Sequence, residues 1–152
     1  MTVVAVLFWV SAGLLVYAQV GYALLLVALA PLKRRRRPPV PDERPDVTVV
    51  VAAYAEEAVI ARRVENLRNL DYPAANLEVI VACDGATDAT AQRARAAGAD
   101  QVLELPRGGK IRAQDAGVRA ARGELVAFSD ANATWAPDAL THLVAAFADP
   151  RT

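Results

Sequence analysis

Tyr54, Asp84 and Asp130 each stand at or just past the end of a short apolar run, and Lys110 follows the pair Gly108-Gly109. Together these are the groups that a nucleoside diphosphate needs. A tyrosine ring can stack on a base, and a carboxylate can accept a hydrogen bond from a ring N–H. A second carboxylate can hold a cation on the diphosphate, because hard divalent ions prefer oxygen and often bridge carboxylates to phosphates. A lysine at a helix start adds positive charge where backbone N–H groups already favour anions. Each residue also has a plainer use. Tyr54 can pack on the neighbouring helix, Asp84 can hold the Gly85 turn, Asp130 and Asn132 can shape a turn, and Lys110 can be merely solvated. Taken singly, the plainer use is slightly favoured; three acidic or aromatic strand ends together favour nucleotide binding.

Such groups meet only if the chain brings them to one edge. Val47–Ala52 reads as a first strand, followed by Ala53-Tyr-Ala-Glu-Glu57 and a helix with Ile60, Val64 and Leu67 on one face. Glu56 and Glu57 are expected in the first turn of that helix, where the dipole favours negative charge. Leu77–Cys83 reads as a second strand that stops at Asp84-Gly-Ala-Thr-Asp88, and the alanine-rich helix after it closes at Gly98. Gln101–Leu105 is a third strand, ended by Pro106, and Arg107-Gly-Gly-Lys110 opens a helix expected to run to Gly123. The fourth strand lies in Glu124-Leu-Val-Ala-Phe-Ser-Asp-Ala-Asn132, an apolar run read as buried on both faces. Pro137 suits a first helical position, with Leu140, Leu143, Val144 and Phe147 forming an apolar face. This alternation implies an α/β fold with a parallel, Rossmann-like sheet and helices on both sides. In such a sheet ligands bind beyond the carboxyl ends of the strands, so residues roughly 30 to 45 positions apart can converge there.

Composition narrows the classes further. The 152 residues are 55% hydrophobic with 17 basic and 17 acidic side chains, which suits neither a disordered chain nor a nucleic-acid binder. All the charge lies beyond Leu32. Residues 1–32 read as a transmembrane helix, which at ~1.5 Å per residue outreaches the ~30 Å hydrocarbon core and can cross with tilt. A cleaved signal would begin with basic residues, whereas here the cluster Lys33-Arg-Arg-Arg-Arg37 comes afterwards. That cluster predicts the N-terminus outside and the remainder in the cytoplasm. It can also meet anionic lipid. Pro38, Pro39, Pro41 and Pro45 make residues 33–45 a stiff linker, leaving 46–152 as one small domain. Cys83 is the sole cysteine, so an internal disulfide is impossible, and inside a strand it reads as a small apolar filler.

Two nucleotide motifs are absent. Gly108-Gly109-Lys110 lacks the earlier glycine and the following Ser or Thr of a P-loop, and no strand-to-helix turn has the dinucleotide glycine spacing. Instead, four ordered segments resemble family 2 glycosyltransferases. Val47-Thr-Val-Val-Val-Ala-Ala-Tyr-Ala-Glu-Glu57 is similar to the family's opening strand and its Tyr-Asn-Glu-Glu turn. Leu77 to Asp88 is similar to the strand ending in Asp-Asp-Gly-Ser-Thr-Asp, and Gly109-Lys110 through Gly123-Glu124 to the Gly-Lys…Ala-x-Gly-Glu segment. Ser129-Asp-Ala-Asn132 stands in the place of the Asp-x-Asp motif.

The resemblance covers Val47 to about Leu140 and implies a GT-A fold using a nucleotide-diphosphate sugar, in polysaccharide or glycolipid biosynthesis. It places Tyr54 and Glu56 beside base and ribose, Asp84 on a uracil-like base edge, and Asp130 with Asn132 at a Mg²⁺ or Mn²⁺ ion. Partners implied are the sugar nucleotide, the bilayer and a saccharide or lipid acceptor. The chain departs from the pattern at Ala55 for Asn, Cys83 for Asp, Asp115 for Asn and Asn132 for the second Asp; the last should weaken a metal site without abolishing it. The family's general base and acceptor motif fall downstream, and His142, within a helix, is a poor substitute. The expectation is therefore a truncated donor-binding half, inactive alone. A degenerate, non-enzymatic nucleotide-binding or membrane-partner module is the alternative. Nucleotidyl transfer would call for a glycine- and basic-rich loop after the first strand, where Ala53–Glu57 provides none.

Overall fold

The computed structural model describes residues 2–32 and 44–148. The cationic run at 33–37, the prolines at 38, 39 and 41, and Asp149 lie outside the described residues. What is described divides into two compact units.

The first unit is a helix. It comprises α1 (Thr2–Val16), a π-helical turn at Tyr17–Gly21, α2 (Tyr22–Leu29) and a closing 3₁₀ turn at Ala30–Leu32. Pro31 has no N–H to donate, which ends the regular helix at Leu29. The 28 residues Thr2–Leu29 are apolar on every side and bury nothing within the unit. A helix apolar all round needs a surrounding apolar medium, and this one is long enough to cross a membrane.

The second unit is a four-stranded parallel sheet in the order β3-β2-β1-β4. β1 (Val47–Ala53) and β2 (Leu77–Asp84) occupy the centre, and β3 (Gln101–Leu105) and β4 (Leu125–Asp130) the edges. Alternate β1 residues Val47, Val49 and Val51 join Val79 and Val81 of β2 in one core layer. Over that layer pack α3 (Ile60–Arg68), α4 (Thr90–Ala96) and α6 (Ala139–Ala145), through Ile60, Val64 and Leu67, Ala91 and Ala94, and Leu140 and Val144. The opposite face carries α5 (Lys110–Ala120). There Gly117 lies so near Val50 that an added Cβ would stand 2.4 Å from Val50 Cγ1. Parallel crossovers share one hand, so reversing direction from β3 to β4 moves the connecting helix to the other face.

Five local expectations need correction. Glu56 and Glu57 precede α3 rather than entering its first turn, because Ala55 adopts a left-handed φ of 51° and the helix begins only at Ile60. α5 stops at Ala120 instead of Gly123, since the Arg122 and Gly123 N–H groups donate to Glu78 Oε2 and Thr48 Oγ1, each at 2.9 Å. Asp138 is the N-cap of α6, so Pro137 lies before the helix, where its carbonyl accepts from Asp71 N at 2.7 Å. Leu143 and Phe147 are exposed, leaving Leu140 and Val144 as the buried seam. The fourth strand is not buried on both faces either: β4 is an edge, and Phe128 is 49% exposed.

Candidate functional site

The strand ends are level. Ala53 pairs with Cys83, Ala52 with Asp130, and Asp84 with Leu105. Strand order reverses between β1 and β4, which is where open α/β sheets form their ligand crevice. A cleft of about 360 Å³ opens there, and Tyr54, Glu56, Asp84, Lys110, Asp130 and Asn132 all line it, joined by Arg107 and Gly109. Every residue that the sequence singles out for the site is thus brought to one place.

Asp84 closes β2 and is buried. Its Oδ1 accepts the N–H groups of Gly108 at 2.6 Å and Gly109 at 3.0 Å, and Oδ2 accepts Gly109 N–H at 2.9 Å. The carboxylate therefore latches the loop after β3 onto the end of β2. It does not hold the Gly85 turn: Gly85 N–H donates to the Leu105 carbonyl at 2.8 Å. Gly85 has φ 67°, and a Cβ there would lie 2.8 Å from Arg107 N, so only glycine lets the two loops approach. A carboxylate has about four lone-pair positions, and these contacts leave room for one more donor.

Tyr54 lies outside the core cluster that α3 joins. Its ring is half exposed, and the Arg107 guanidinium carbon lies 3.2 Å from the ring centroid. Arg107 Nε also stands 3.7 Å from Asp84 Oδ2. A planar guanidinium stacks on aromatic faces, and here it covers one face of the Tyr54 ring. Sequence reasoning passed over Arg107. The available signal is its position directly after Pro106, at the end of β3 and three residues before Lys110.

Lys110 Nζ reaches Asp130 Oδ1 at 2.5 Å, with both side chains more than half exposed. Such a pair is weak in water and parts easily. Asn132 is exposed two residues on. Among the described residues no cluster of three His, Cys, Asp or Glu side chains can hold a metal. Asp130 and Asn132 supply one anionic and one neutral oxygen, which fits Mg²⁺ or Mn²⁺ when phosphates and water provide the remaining ligands.

Glu57 and Asp88 join the loops behind the cleft. Asp88 Oδ2 accepts Glu57 N–H at 3.3 Å, Glu57 Oε2 accepts Ala89 N–H at 3.0 Å, and Thr90 Oγ1 accepts Glu56 N–H at 2.9 Å. Hydrogen bonds from the Thr90 hydroxyl and then from backbone N–H groups hold the Asp88 carboxyl below the ordinary range. Burial raises the Cys83 thiol to about 11, so it stays protonated, as a filler should. His142 is exposed, pairs with Asp138 at 3.1 Å and does not line the cleft.

The model of the family described as "Glycosyl transferase family 2" matches residues 48–152. A beta-monoglucosyldiacylglycerol synthase from Nostoc sp. is 39% identical over 110 residues, 68% of this chain and 24% of that protein. The succinoglycan biosynthesis protein ExoO of Rhizobium meliloti is 37% identical, over 70% of this chain and 31% of that protein. Among solved structures, the mannosyltransferase PcManGT from Pyrobaculum calidifontis, in complex with GDP-Man and Mn²⁺, superposes with a TM-score of 0.77 at 36% identity. That match covers 91% of this chain and 44% of the other. The chain thus spans about a quarter to a third of the curated relatives and under half of the solved one.

Proposed function

The chain belongs to glycosyl transferase family 2, and from that premise we propose that residues 46–152 bind the nucleotide-diphosphate sugar donor of a membrane-bound transferase. One observation carries this reading: six residues from four separate segments, each at or following the end of a strand, line a single cleft at the point where strand order reverses. Tyr54 stacks on the base once Arg107 gives way or shares the stack. Asp84 accepts a ring N–H at its remaining lone pair, while Glu56 lies beside the ribose. One free acceptor position suits the single N3–H of uracil or thymine better than the paired donors of guanine. Lys110 leaves Asp130 for the diphosphate, and Asp130 and Asn132 then hold the divalent ion. That ion would neutralise the diphosphate as it becomes the leaving group.

Support for a lipid or saccharide acceptor comes from the relatives named for glucosyldiacylglycerol and succinoglycan synthesis, together with the helix Thr2–Leu29. The cationic run after that helix favours a cytoplasmic donor domain. The test is calorimetry of the full chain in detergent with UDP, TDP and GDP, with and without Mn²⁺. UDP or TDP should bind more tightly than GDP, and Mn²⁺ should strengthen binding. Asp130→Ala should abolish the metal dependence and Asn132→Asp should increase it. Equal metal dependence in wild type and Asp130→Ala would overturn the assignment.

A further inference from the structure

We propose that Arg63, a cation buried in α3, is the positioning residue for the Asp130–Asn132 end of the cleft. The inference rests on the donor-site reading above. Arg63 is 1% exposed. A guanidinium keeps its charge in proteins, and a buried charge is costly unless it is paired. Among the described residues no carboxylate pairs with Arg63; its hydrogen bonds go to neutral oxygens. Nη1 donates to Asn66 Oδ1 at 2.5 Å and Nη2 to Ser129 Oγ at 2.7 Å. The guanidinium carbon lies 4.7 Å from the Trp135 ring centroid, and Nε has no acceptor among the described residues. Burial pushes its pKa down. As a filler of apolar space, methionine would serve α3 at lower cost.

What the cation touches gives it a use. Ser129 immediately precedes Asp130, and its hydroxyl donates onward to the Asp130 carbonyl at 3.1 Å. Trp135 closes the same segment. Its N–H donates to Asn66 Oδ1 at 2.9 Å and its carbonyl accepts Asn66 Nδ2 at 3.0 Å, so Arg63 and Trp135 share one acceptor. The guanidinium therefore anchors both ends of residues 129–135. Beyond the β4 ladder, which ends at Asp130, the segment's own backbone contributes a single turn bond, Ala133 N–H to the Asp130 carbonyl at 3.2 Å. Asp130 takes its placement from the end of the β4 ladder and the Ser129 anchor, and Asn132, exposed beyond the ladder, from the two anchors. A network behind a metal ligand commonly sets its affinity through orientation.

The test compares wild type, Arg63→Met and Arg63→Lys as full chains in detergent. Thermal unfolding is read beside calorimetric affinities for uridine, for UDP and for UDP with Mn²⁺. Arg63→Met should melt at or above the wild-type temperature and bind uridine unchanged. Its Mn²⁺-dependent gain in UDP affinity should fall by about tenfold or more. Arg63→Lys, which keeps one charged donor for Ser129, should recover part of that gain. An Arg63→Met protein that retains the full gain, or that loses uridine and Mn²⁺-dependent binding in equal proportion, overturns the inference. If Arg63→Met does not fold, Ser129→Ala decides by the same readouts. No Mn²⁺-dependent gain in wild type would overturn the donor-site reading and this inference with it; a wild-type gain that the variants keep overturns the inference alone.

Discussion

Asp84 shows how one carboxylate can serve both the protein and a ligand. Three of its hydrogen-bond contacts go to Gly108 and Gly109 and fasten the loop that carries Arg107 and Lys110. A fourth position remains for a base. Asp84→Ala is expected to lower UDP affinity by about 1–3 kcal/mol, the scale for a hydrogen bond to a charged group. It should also speed hydrogen exchange at Gly108 and Gly109. Calorimetry together with exchange mass spectrometry checks both, and unchanged UDP affinity would remove Asp84 from the donor site. The residue type and the strand end were legible in sequence because an acid after an apolar run is a local pattern. The latch was not, since its donors lie more than twenty residues away.

Two features at the scale of the elements carry predictions. Between β1 and α3, Ala55 is held at φ 51°, a conformation that costs an L-residue about 1–2 kcal/mol. Asparagine tolerates it better, and asparagine is what the family resemblance expects there. Ala55→Asn should therefore raise stability by about 1 kcal/mol in urea unfolding; no gain would mean that the turn relaxes at no cost. At the opposite end of the sheet, Glu78 ties β2 to β1 and to the exit of α5. Burial pushes its carboxyl up. Hydrogen bonds from the Thr48 hydroxyl, the Arg122 N–H and the Gln101 amide, with the Arg122 charge, more than offset this and leave the pKa lowered. A carboxyl lowered in the folded state contributes stability above its unfolded pKa of about 4.3. That contribution is lost as pH falls through the lower folded value. Glu78→Gln should cost about 1–3 kcal/mol at neutral pH and should flatten the acid side of the stability profile below about pH 4.3. Urea titrations across pH test this, and parallel profiles would rule it out.

For the whole molecule, the contrast between an apolar helix and a polar-surfaced α/β unit determines where each can reside. Residues 2–29 bury nothing in their own unit, so they need lipid or a partner. Deleting residues 1–32 should move the chain from the membrane fraction to the soluble one. A C-terminal reporter should be active only on the cytoplasmic side; activity only outside would reverse the proposed orientation. Recovery of the deleted chain in membranes would assign the attachment to the other unit.

The sequence alone was enough for the strand and helix order, the parallel sheet, the apolar span and the placing of Tyr54, Asp84, Lys110 and Asp130 at one edge, whereas Glu56 entered only through the family resemblance. These follow from local periodicity, from glycine and proline punctuation, and from the rule that parallel strands end on one edge. Tertiary structure decided which side chains engage one another at that edge. It laid Arg107 over Tyr54, paired Lys110 with Asp130, turned Asp84 onto two glycine N–H groups and buried Arg63 behind Ser129. It also put β4 at the edge of the sheet among the described residues, where its composition read as buried on both faces. The physical reason is common to all of these. An apolar run reports a preference for burial, whereas a hydrogen bond or a stacked ring depends on the register and spacing of elements far apart in the chain, and these are set only when the sheet and its helices pack.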